Sequence, residues 1–140
     1  MKSIPFNVPS TVGKEFEYMK DAVNVGHLAG GGIYTKLCQD IISRITDGKH
    51  ALLTHSCTAA LEMAAILCNL KPGDEVIMPS WTFVSTANAV VLRGAIPVFI
   101  DIFEDTLCLN TEQVRAAVTP RTRAIFAVHY AGVIADMKTL

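Results

Sequence analysis

Residues 54–67 read THSCTAALEMAAIL, placing Thr54, Ser56, Cys57 and Thr58 where an apolar run, Ala51-Leu52-Leu53, gives way to a helical pattern. Small hydroxyl residues at a helix start suit one kind of chemistry. The first turn presents N–H groups that lack intrahelical acceptors, at the positive end of the helix dipole. A phosphate can approach closely there and gain further hydrogen bonds from Ser or Thr. The same residues serve a plainer purpose too, because Ser56 or Thr58 caps a helix equally well. On the local pattern both readings stand. The turn has no GxGxxG, so a dinucleotide site is a poor fit, and no GK[ST] follows any strand, so a P-loop is excluded. The glycine-rich GHLAGGG (26–32) follows no strand and has no Lys-Ser/Thr behind it, so it reads as a flexible loop.

Other residues able to bind or react lie further along. PSWTFVST (79–86) offers two aromatics, Trp81 and Phe83, either of which can stack on a flat ring or pack in a core. His129 and Tyr130 are expected to end a strand, where a histidine makes either a ligand contact or a structural hydrogen bond. Asp101 also follows a strand and either orients a ligand or caps the next turn. His27, His50 and His55 carry no recognisable constellation. No Ser-His-Asp order and no paired carboxylates at helical spacing stand out. The four cysteines, Cys38, Cys57, Cys68 and Cys108, form no CxxC pair and no metal-ligand spacing with the histidines, so they read as reduced thiols.

The elements that must position these residues follow from periodicity. Pro5 and Pro9 make residues 1–13 an extended arm. A helix is predicted over 14–25, with Phe16, Met19, Ala22 and Val23 on one face. A second is predicted over 33–45, where Ile33, Leu37, Ile41 and Ile45 recur and Asp47-Gly48 terminates the pattern. Strands and helices then alternate: strand 50–54, helix 57–69, strand 75–78, helix 82–92 and strand 95–100. A helix over 111–118 opens on an Asn110–Gln113 capping box, and a strand follows over 123–128. This alternation predicts an α/β fold, with helices on the faces of a parallel sheet. Asp136 sits at an N-cap position with only four residues, Met137 to Leu140, after it, too few for a stable helix, which leads us to expect a truncated chain.

Composition narrows the classes. Half of the 140 residues are hydrophobic (51%), net charge is −1, and Lys and Arg form no stripe, which argues against nucleic acid or an anionic membrane as partner. The mean hydropathy is +0.37 and the pI about 6.4. The start, MKSIPFNVPS, has no apolar h-region, and no apolar segment is long enough to span a bilayer, so a cytoplasmic location is expected.

Taken together, SCTAALEMA, LKPGDEVIMPSWTFVSTANAVVLRGAIPVFIDI and TPRTRAIFAVHYAG with Ala135-Asp136 after it resemble the DegT/StrS family of sugar aminotransferases. The resemblance runs from about Ile4 to Leu140. It implies a fold-type I, aspartate aminotransferase-like large domain, of which this chain holds the N-terminal part: an incomplete, mostly parallel sheet with flanking helices. Residues 1–32 would form an arm, helix and glycine-rich loop, and 33–140 the first part of the cofactor-binding domain. The implied cofactor is pyridoxal 5′-phosphate (PLP). The turn at Cys57, Thr58 and Ala59 would hold its phosphate, Phe83 rather than Trp81 would stack on its ring, and His129 would lie nearby.

The implied reaction moves an amino group from L-glutamate to the 4-keto carbon of a dTDP-linked 6-deoxyhexose, in a homo-oligomer. The family's catalytic lysine and the aspartate that holds the pyridine nitrogen lie downstream of the matched segment. None of Lys2, Lys14, Lys20, Lys36, Lys49, Lys71 and Lys138 falls in the lysine motif, so this chain alone is expected not to transaminate. In the family the first strand pairs with the last. The 50–54 strand would therefore keep an open edge here and drive self-association. Two rival readings remain: a non-catalytic product that binds a phosphorylated ligand or a longer relative, and a family member acting on another keto sugar.

Overall fold

A computed structural model describes residues 3–5, 7–48 and 50–140, so Met1, Lys2 and Phe6 of the expected arm, and Lys49, lie outside the described residues. The chain forms two units, Met1–Leu53 and Thr54–Leu140; the boundary read from sequence falls after Gly32.

In the first unit, the described residues before Lys14 form no helix or strand. Helix α1 spans Glu15–Val25, and its first residue steadies its own start. The Glu15 carboxylate accepts the N–H of Val12 (2.6 Å) and of Gly13 (2.8 Å). The Val12 bond is the chief reason that this carboxyl titrates below its ordinary range. Gly26, at φ 76°, closes the helix in the left-handed conformation that glycine adopts without steric penalty. Helix α2 spans Ile33–Thr46 and ends on Asp47, as its sequence predicts. Tyr34 Oη donates to Asp21 Oδ2 (2.7 Å), tying α2 to α1. Neither helix buries a residue.

The second unit holds the sheet. Helix α3 (Cys57–Leu67) precedes strand β1 (Glu75–Pro79); helix α4 (Val84–Val91), strand β2 (Ile96–Ile100), helix α5 (Thr111–Ala117) and strand β3 (Thr122–Ile125) follow. The strands lie in the order β2-β1-β3, and β1 is parallel to both neighbours. All five residues of β1 are buried, which fits a strand, apolar from Val76 to Pro79, enclosed on both faces. Its side chains alternate. Val76 and Met78 join Ala65, Leu70, Ala89, Val90 and Ala95 in a cluster with α3 and α4. Ile77 points the other way, to Ile100, Leu109 and Val114 of α5. This makes a three-layer α/β arrangement.

Several expectations are corrected. Residues 50–54 form no strand. A strand exists only where a neighbour takes up its N–H and C=O groups, and His50-Ala51-Leu52-Leu53-Thr54 has no such neighbour among the described residues. The open edges are instead those of β2 and β3, each of which pairs on one side only among the described residues. The last strand stops at Ile125 rather than 128, with one further ladder bond from Phe126 N to Ile77 O (2.8 Å). The Asn110 box is half made. Asn110 Oδ1 accepts Glu112 N (3.0 Å), but the Asn110 N–H goes to Asp101 O (2.9 Å) rather than to Gln113. Asp136 accepts from Lys138 N, Thr139 N and Thr139 Oγ1, in keeping with the N-cap position read from sequence.

Candidate functional site

The strand order reverses about β1, and α/β sheets bind ligands outside the carboxyl ends of strands at such reversals. A cavity of about 540 Å³ lies there, beyond β1 and β3. One wall is the N-terminal turn of α3, with Cys57, Thr58 and Leu61; a second is the segment after β1, with Thr82, Phe83, Ser85 and Thr86. Ala127 to Tyr130, after β3, form the third wall.

Each wall has a local cause. Ser56, in extended conformation, caps α3 by accepting Ala59 N on its Oγ (3.1 Å). Ala60 N bonds Ser56 O (3.2 Å), so the first turn leaves the amides of Cys57 and Thr58 as its outward donors. Thr54 Oγ1 donates to Ser56 O (2.8 Å), bracing the approach to the turn. Phe83, at the N-cap position of α4, is 75% exposed, so its ring face is open to a ligand. Trp81 turns aside and meets Tyr130 edge-on, with centroids 5.9 Å apart.

Two buried hydroxyls sit in the second wall of the cavity. Ser85 and Thr86, 7% and 4% exposed, are neighbours on α4. Ser85 Oγ bonds Thr58 Oγ1 (2.8 Å) and Thr86 Oγ1 bonds Thr82 Oγ1 (2.8 Å). Beyond β3 the chain kinks into a short 3₁₀ turn, Tyr130–Gly132, with Ala131 at φ 49°. His129 Nδ1 accepts the Ala135 N–H (3.1 Å). A nitrogen that accepts carries no proton, so neutral His129 bears its hydrogen on Nε2.

The structure thus brings Cys57, Thr58, Phe83 and His129 around one cavity. Ala59 stands apart: its amide is held by Ser56, and it does not line the cavity. Asp101 also lies elsewhere, its Oδ1 accepting Ile102 N (2.8 Å) in the turn after β2. His129 sits past the end of β3 rather than on it. Sequence reasoning missed Thr82, Ser85 and Thr86. The sequence signal was the adjacent hydroxyl pair Ser85-Thr86 in the first turn of a mostly apolar helix, VSTANAVV. No group of three or more potential metal ligands occurs among the described residues, and no helix among them is long and apolar enough to cross a membrane.

The fold recurs in solved structures. Residues 9–140 match the model of the DegT/DnrJ/EryC1/StrS aminotransferase family. Among solved structures, the Streptococcus pneumoniae protein Spr1654, described as a sugar aminotransferase and seen in PLP and PMP forms, superposes with TM-score 0.87 at 30% identity, over 99% of this chain and 35% of its own. A 3-amino-5-hydroxybenzoic acid synthase superposes with TM-score 0.88 at 35% identity, over 99% of this chain and 36% of its own. An aminotransferase of Psychrobacter cryohalolentis gives TM-score 0.88 at 30% identity, over 96% of this chain and 35% of its own. This chain thus spans about a third of the length of the proteins it matches. With the family model matching nearly end to end, the chain belongs to the DegT/DnrJ/EryC1/StrS aminotransferase family.

Proposed function

We propose that this chain supplies the phosphate-and-ring end of a pyridoxal phosphate site in a sugar aminotransferase. The observation that carries this reading is the single cavity lined by Cys57, Thr58, Phe83 and His129 at the strand-order reversal. Its volume, about 540 Å³, falls in the range of small-molecule sites, and its residues fit the cofactor. The amides of Cys57 and Thr58 and the Thr58 hydroxyl would take the phosphate, Phe83 would cover the ring, and His129 Nε2–H would donate to a polar substituent. Ala59 would contribute only by giving up its bond to Ser56. When bound, the cofactor carries the amino group and withdraws electrons from the reacting carbon. The chain's own part is to bind and orient it.

The finer assignment follows from the SCTA, TFVSTANA and VLRGA segments. We propose a dTDP-4-amino-4,6-dideoxygalactose type of transaminase, with L-glutamate as donor and a dTDP-4-keto-6-deoxyhexose as acceptor, in the cytoplasm. Residues 33–140 would be the first part of its cofactor-binding domain. The open edges of β2 and β3 support assembly as a homo-oligomer, which light scattering of the concentrated chain would test. Among the described residues no lysine lines the cavity, so the 140-residue chain should hold the cofactor without transferring an amino group. That observation also favours the second reading, a non-catalytic chain that binds a phosphorylated ligand. Two assays decide between outcomes: titration of pyridoxal 5′-phosphate followed by fluorescence of the sole tryptophan, Trp81, and amino transfer from L-glutamate. No binding sinks the cofactor reading, and amino transfer by the chain alone sinks the proposed division of labour.

A further inference from the structure

The buried hydroxyl of Ser85 is the least expected feature of the cavity. It stands in the first turn of α4, 7% exposed, and its Oγ lies 2.8 Å from Thr58 Oγ1 in the first turn of α3. Twenty-seven residues separate the two in sequence. A buried hydroxyl needs a partner, yet an alanine would satisfy the same packing without that demand.

The direction of this bond depends on what Thr58 faces. Either oxygen can donate in the chain by itself. An anion beside the α3 turn would accept the Thr58 O–H, leaving Thr58 Oγ1 to accept from Ser85. The two hydroxyls then form a relay aimed outward, and each bond polarises the next. Ser85 has little room to turn elsewhere, so it also holds the Thr58 rotamer. The same bond joins the helix that carries the anion-facing amides to the helix whose N-cap carries Phe83.

We propose that Ser85 is a positioning residue: through its hydrogen bond it sets the Thr58 hydroxyl as a donor to the phosphate of the ligand. This inference rests on the cofactor reading above.

The test uses the full chain and two probes, pyridoxal 5′-phosphate and pyridoxal, which differ only in the phosphate. Wild type should prefer the phosphorylated probe. Ser85→Ala should weaken pyridoxal 5′-phosphate about fivefold, the scale of one hydrogen bond, and leave pyridoxal unchanged. Ser85→Thr, which restores the hydroxyl, should recover most of the loss. Thr58→Val should lose at least as much, and adding Ser85→Ala to it should do no further harm. Ser85→Cys keeps the volume with a weak donor and serves if the alanine variant does not fold. Equal weakening of both probes by Ser85→Ala or Ser85→Cys would reduce Ser85 to packing and overturn the inference. Variants that bind both probes as wild type does would overturn it while leaving the cofactor reading intact. A wild type that does not distinguish the probes would overturn the cofactor reading, and this inference with it.

Discussion

Glu75 and Arg121, 46 residues apart in sequence, pair at the amino ends of β1 and β3, the opposite end of the sheet from the cavity. The Glu75 carboxylate is buried and also accepts from Thr119 Oγ1, while its backbone N–H donates to Arg121 O (2.9 Å). Side chain and main chain together fasten β3 beside β1, and so place the segment that runs on to His129.

Acid should therefore loosen the sheet through Glu75. The Thr119 hydrogen bond first, and then the Arg121 charge, hold its carboxyl below the ordinary value of 4.5. The unfolded chain then binds the proton more readily than the folded one. The stabilisation is full above the unfolded value and is lost as pH falls through the lower folded value. Denaturant midpoints measured across the acid range should fall for wild type, and Glu75→Gln should fall less steeply. Parallel curves would remove Glu75 from the acid response.

Truncation within β1 should be severe. Ile77 and Met78 are fully buried and face opposite sides of the sheet, so either alanine substitution opens a hole in a packed layer. Each should lower stability by about 2–5 kcal/mol in urea denaturation. Leu67→Ala, at a position 73% exposed, should change it by no more than about 0.5 kcal/mol. Similar losses at all three positions would mean that β1 is not the centre of the core.

The caps offer a milder, local test. Ser56 accepts the amide of Ala59 and Asn110 that of Glu112, so Ser56→Ala and Asn110→Ala should each cost about 1 kcal/mol. Ser56→Gly should cost only a few tenths. Thermal or urea unfolding reads this directly, and unchanged midpoints in both alanine variants would rule the caps out as contributors.

Phe83 separates binding from folding. Because Phe83 is 75% exposed, Phe83→Ala should leave stability within about 0.5 kcal/mol of wild type. Loss of an aromatic stack should weaken pyridoxal 5′-phosphate about tenfold by equilibrium dialysis. Trp81→Phe, at a ring that packs on Tyr130 instead, should bind as wild type does. The reverse ranking would assign the stack to Trp81.

Much of this was legible beforehand because it is short-range. The Ser56 cap and the Asp47 stop depend on neighbours a few residues away, and the β1 and β2 strands show as short runs rich in Val and Ile. Reading failed where a partner was needed. Residues 50–54 look like a strand, yet no ladder receives them. Asn110 and Gln113 have the spacing of a capping box, yet Asp101 takes the bond.

Sequence alone therefore determined the α/β alternation, the small-hydroxyl helix start at Ser56-Cys57-Thr58, and, by resemblance, the family, because periodicity and small-residue turns are written in consecutive positions. The tertiary structure decided which side chains meet. Only the packing of α3 on α4 brings Ser85 to Thr58, and only the placement of β3 beside β1 brings His129 to the cavity that Phe83 lines. Such meetings join residues tens of positions apart, and their geometry is set by the whole sheet and its two packed faces rather than by any local run of sequence.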